Sequence, residues 1–226
     1  MSKLKLSLFL LALLTSVSLN AQVRTTIYVN GDAFRFHPQL QNVSSKNIPL
    51  MNVTPDVRSI DSLIQEDNEL DARGVGRPAR FGHNIESSIS MPQGQWTTTE
   101  QYNIWSICIS SRDAHSLNFV LSDVKLSQNA KLYLFNTDGY MVSGPITAKN
   151  INAEGIHPTT VIAGNSVVIQ IIEPISDNKH STLKISEIIH GYKNTFANNN
   201  FLKINYYFCN NLITNLNNNG DRLCYI

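Results

Sequence analysis

The sequence predicts a mostly β protein: an antiparallel β-sandwich with one short N-terminal helix and a disordered, Asn-rich tail. Three observations predict it. Across residues 80–192 the apolar side chains recur at every second position, the period of strands with one buried face. These runs are short and divided by turn residues, as in sandwiches. Residues 198–219 hold ten Asn and a single charged side chain, Lys203, and such a polar tract is expected to stay disordered or to need a partner.

The chain opens with Lys3 and Lys5, an apolar run over residues 6–14 broken only by Ser7, and a small residue at Ala21. That is the layout of a secretory signal peptide, with cleavage expected between Ala21 and Gln22. The apolar core is shorter than the roughly 20 residues a membrane-spanning helix requires. No later run is longer, so no stable membrane insertion is expected. The expected organisation is a signal peptide at 1–21, an N-terminal extension with the short helix at 22–79, the sandwich at 80–192 and the tail at 193–226.

Within the extension, residues 25–29 read as a brief extended stretch. Thr54-Pro55-Asp56 reads as a helix start, with a capping hydroxyl, Pro at the first helical position and an acid in the first turn. Val57, Ile60, Leu63 and Ile64 give about two turns of apolar stripe, and Gly74, Gly76 and Pro78 end it. In the sandwich, Ile85, Ile89 and Met91 share a face, as do Trp105, Ile107 and Ile109, and then Leu117, Phe119 and Leu121. Residues 131–136 lead through Asp138-Gly139, a hairpin turn, into 141–143. Residues 165–173 carry Val167, Ile169 and Ile171 on one side and Val168 and Ile172 on the other, a central strand buried on both faces. Leu183 and Ile185 begin a last strand that runs to Tyr192.

The charge balance is 18 Lys+Arg against 17 Asp+Glu, which offers nothing for a nucleic acid to bind. Nor does catalytic chemistry emerge. There is no Gly-x-Ser-x-Gly, and Ser166, after Gly164-Asn165, starts a strand without the glycine a nucleophile turn needs. No His pair at i, i+4 and no Cys-x-x-Cys suggests a metal, and Gly74-Val75-Gly76 lacks the strand and helix of a phosphate loop. No cofactor is therefore expected. Asn42 and Asn52 fit glycosylation acceptors. Trp96, Trp105, Tyr133 and Phe135 are either core residues or a sugar- or peptide-binding face. Of three cysteines, Cys209 and Cys224 form the candidate disulfide, a closure worth about 3 kcal/mol, and Cys108 sits in mid-strand as a small hydrophobe.

A series of segments in fixed order carries a resemblance: Arg80-Phe81-Gly82, Gly94-Gln95-Trp96-Thr97, Ile104-Trp105-Ser106-Ile107, Ala114-His115-Ser116-Leu117-Asn118-Phe119, Ala130-Lys131-Leu132-Tyr133-Leu134-Phe135-Asn136 and Ile189-His190-Gly191-Tyr192. Together they resemble the N-terminal pro-region of secreted trypsin-like serine proteases of the lysyl endopeptidase type, from Bacteroidetes-like bacteria. The match spans residues 63–192. It implies a secreted, periplasmic or cell-surface location in a bacterium and a cognate serine protease domain as partner. In such proteases a Cys-Asn pair marks the start of the enzyme, and Cys209-Asn210 resembles its remnant. No triad residue maps onto this chain, which stops at Ile226 where the family continues into a catalytic domain. The expectation is a non-catalytic folding or inhibitory module truncated before its protease domain. The alternative is an extracellular glycan- or protein-binding sandwich.

Overall fold

The computed structural model describes residues 23–28, 33–41, 48–76, 78, 80–177, 181–196 and 224–225. The expected leader with its Ala21–Gln22 cut, Asn42, most of the Asn-rich tail and Cys209 lie outside them. The described chain is a sandwich of two antiparallel-rich sheets. The first, sheet A, runs β1 (Thr25–Ile27), β8 (Met141–Ile146), β7 (Lys131–Asn136), β11 (Ser166–Pro174), β5 (Tyr102–Ser111) and β2 (Leu50–Val53). A further strand, β4 (Gln95–Thr98), shares the β5 edge with β2. The second, sheet B, runs β10 (Ile162–Ala163), β6 (Ser116–Lys125), β12 (Thr182–Gly191), β3 (Arg80–Ser90) and β13 (Cys224–Tyr225), with β9 (His157–Pro158) also on β6.

The alternation read from the sequence places the core. In β11, Ile169 lies opposite Ile107 and Leu134, and Ile171 opposite Trp105 and Leu132. These side chains meet Leu117, Phe119, Leu121, Ile185 and Ile188 of sheet B in one buried cluster. Residues paired across strands share a face, so one-residue slips would turn each apolar set out to water, and the register is strongly held. β11 is central, paired on both sides and buried on both faces, as its near-continuous apolar run requires. The β7–β8 hairpin turns at Gly139, whose φ of 69° is a conformation glycine adopts without cost.

The expectation of a single short helix needs correction. Among the described residues there are two single-turn α-helices, α1 (Ala33–Phe36) and α2 (Pro38–Gln41), and one long one, α3 (Val57–Ala72), of 16 residues. Its N-cap is Asp56, not Thr54: the Asp56 carboxylate accepts from Arg58 N at 3.1 Å and Ser59 Oγ at 3.0 Å. Thr54 follows Val53, which is held in parallel pairing with Ser111, and it precedes a proline, so its backbone stays extended. The segment before residue 80 is also joined to the sandwich more closely than a plain extension. It supplies β1 at one edge of sheet A and β2 at the other, beside β4, and α1 and α2 lie over that sheet's outer face.

Candidate functional site

Three segments that sequence order had only strung together lie side by side at one end of sheet B. Gly191 pairs with Gly82 on one side and Ser116 on the other, and His190 with His83 and Leu117. Strands approach so closely here that a Cβ on Gly191 would overlap Ser116 Oγ, and one on Gly82 would overlap Ile189. Glycine is demanded at both places by close approach. The same logic explains Gly94-Gln95-Trp96. A Cβ on Gly94 would run into the Trp105 ring, whose Nε1 donates to Met91 O at 2.9 Å.

A buried polar clamp seats α3 against this end. Asp67, 1% exposed, accepts at Oδ1 from Arg80 Nη2 (2.8 Å) and at Oδ2 from Tyr192 Oη (2.8 Å) and Lys193 Nζ (2.7 Å). The Arg80 guanidinium also donates to Tyr192 Oη (3.1 Å), Leu63 O (3.2 Å) and Glu66 Oε2 (2.8 Å). Burial alone would raise the Asp67 carboxyl, but the donors Lys193, Tyr192 and Arg80, with the Arg80 charge, outweigh it and hold the group at about 2. Burial and the Asp67 carboxylate push the Tyr192 phenol far above its ordinary value, so it stays a neutral donor. The clamp grips the chain where β12 ends.

Between the sheets, Ser111 Oγ of β5 lies 2.8 Å from His190 Nδ1 of β12. The residue types match a nucleophile and its base, but Ser111 is fully buried and His190 is 3% exposed, so no substrate carbonyl reaches the hydroxyl. The contact is a strut joining sheet A to sheet B. Burial lowers the His190 imidazole below its ordinary range, His83 and His115 push the same way, and Asp113 opposes them. Asp113 holds a φ of 63° in the tight turn between β5 and β6. Among the described residues no three His, Cys, Asp or Glu side chains could hold a metal ion, and no helix is long and apolar enough to cross a membrane.

The other sequence candidates are placed as follows. Ser166 opens β11 and donates to Ser110 Oγ at 3.0 Å, an ordinary cross-strand contact. Trp105 is in the core and Trp96 is half-buried, while Tyr133 and Phe135 lie beneath α1 and α2, so the four aromatics do not form an open row. Cys108 is buried with a free thiol. Cys224 pairs with Gly82 at the β3 edge, whereas its candidate disulfide partner Cys209 is outside the described residues. Glu173, at the end of β11, is buried and accepts from Ser181 N (2.7 Å) and Oγ (2.8 Å), closing the connection to β12. No family model, curated protein or solved structure matches this chain.

The clamp and the strut were not legible as such in the sequence. Arg80 and Tyr192 stand in the segments that carry the resemblance, but Asp67, Lys193 and Ser111 do not. An acid on the buried side of an otherwise apolar helical stripe was the one available signal for Asp67.

Proposed function

We propose that this chain is an exported, non-catalytic module of the pro-region type, which folds or restrains a trypsin-like serine protease domain of lysyl endopeptidase character. One observation carries the reading. The segments Arg80–Gly82, Ala114–Ser116 and His190–Tyr192 assemble at one end of the sandwich, where a buried clamp ties α3 to the ends of β3 and β12. A module that must meet a partnering domain in one orientation needs a rigid end of this kind. The leader-like residues 1–21 support export.

The test is functional. Purified protein, added in trans to lysyl endopeptidase-type catalytic domains, should slow cleavage of a Lys-containing peptide or raise the yield of active enzyme on refolding. The protein alone should cleave nothing. If neither rate nor yield changes with several such domains, the pro-region reading falls and the glycan- or protein-binding sandwich replaces it. Cleavage by the protein itself, blocked by a serine-directed inhibitor, would overturn its non-catalytic character.

A further inference from the structure

Sheet A has a second apolar face, turned away from the core. Cys108, Val168, Phe135 and Val142 form a row directly across β5, β11, β7 and β8, with Tyr133 and Ile172 beside it. Left bare, such a row would be a sticky patch on an exported protein. Residues 33–41, the single-turn helices α1 and α2, pack on it together with Tyr28 and Ile48. Ala33 and Leu40 are buried against it, and the Phe34 ring stands edge-on to Phe135 at 5.7 Å. His37 lies beside the Tyr133 ring, with its Nε2 2.6 Å from Tyr28 Oη.

The cover is held differently from the strands beneath it. Its helices are four residues each, too short to persist alone. Described backbone hydrogen bonds tie the region to the β7–β8 hairpin at two points, Tyr28 N to Tyr140 O and Ala33 N to Gly139 O. Of the cover's own apolar side chains, Phe36 is 62% exposed and contributes little burial. The sheet below is joined by continuous ladders on both sides of β11 and by its inner-face core. Regions with few buried contacts and few backbone bonds open at lower free energy than the core.

We infer that residues 33–41 are a detachable strap, which opens as a unit while the sandwich stays folded and bares an apolar aromatic face on sheet A. The inference is independent of the pro-region reading and survives its failure. Cys108 is a built-in reporter. It lies in the covered row, 8% exposed, and burial raises its thiol, so it is inert while the strap is closed.

The experiment labels the full-length protein with iodoacetamide at pH 8 and reads modification of Cys108 by peptide mass mapping across a urea series. Labelling is expected well below the global unfolding transition, at a rate nearly independent of urea. Leu40→Asp should raise that rate roughly tenfold or more while leaving the global transition in place. Amide exchange supplies the second measurement: residues 33–41 should exchange faster than 167–172 by on the order of a hundredfold or more. Labelling that appears only with global unfolding, or a global transition that falls in step with Leu40→Asp, would overturn the inference. Equal protection of the strap and the central strand would do the same.

Discussion

Replacing Asp67 by Asn tests whether the clamp holds α3 to the ends of β3 and β12. The exchange keeps the shape and removes the charge. It also sets an amide NH2 against one set of donors, either Arg80 at Oδ1 or Tyr192 and Lys193 at Oδ2. The carboxyl sits at about 2 instead of the ordinary 3.8, which corresponds to about 2–3 kcal/mol favouring the charged form. Adding the donor conflict, we expect a loss of roughly 3 kcal/mol, within the range for breaking one side of a buried ion pair. For a domain of this size that is a fall of about 6–12 °C in Tm. The sign fixes a second readout. Because the folded carboxyl is held low, its contribution is complete above about pH 4 and is lost as pH falls through about 2, so the gap between the two proteins should close over that window. Glu66→Gln is the control. Its side chain is 55% exposed, and the change should cost less than about 1 kcal/mol. Urea unfolding of the three proteins at pH 7 and pH 3 decides the matter. An Asp67→Asn loss no larger than that of Glu66→Gln, or one that does not shrink on acidification, would refute the clamp.

Three further outcomes are expected. Ile169→Asp places an unpaired charge at the centre of β11, opposite Ile107 and Leu134, and should abolish the cooperative thermal transition; a transition near that of the parent would contradict the register. Gly94→Ala forces a methyl into the Trp105 ring and should cost about 1–3 kcal/mol with altered tryptophan fluorescence, and unchanged fluorescence with unchanged stability would count against that packing. Burial also lowers the imidazoles of His37, His157 and His190, so the fold favours their neutral forms while the unfolded chain takes up protons from pH 6.5 downward. Stability should be full above that pH and decline below it, and His190→Gln should flatten the decline; a curve level from pH 7.5 to 5 would show that these groups titrate alike in both states.

Much of the strand framework was readable because it depends on local period. The alternation of Trp105, Ile107 and Ile109, the two-faced run at 167–172 and the Asp138-Gly139 turn each record a constraint acting on neighbours in the chain, so one strand at a time could be placed. Helix α3 was legible in its apolar stripe, but its start was not. Pairing of Val53 with Ser111 keeps the backbone extended past Thr54, and that contact reaches across 58 positions of sequence. The features that give this end of the molecule its character are all of that kind. Asp67 meets Tyr192 across a separation of 125 residues, and Ser111 meets His190 across 79, from opposite sheets. Polar residues with no period of their own acquire partners only when the strands are laid side by side. The strap escaped sequence reading for the complementary reason. Two single-turn helices are too short to show a 3.6-residue period, and their apolar residues make sense only against the outer row of Cys108, Val168, Phe135 and Val142. Sequence alone therefore determined the main strands between residues 80 and 192 and which sides they bury, but not the strands that join the sheets from outside that span, β2 and β13. Tertiary structure decided what packs on the second face and what ties α3 to the end of β12, because both depend on contacts between segments far apart in the chain.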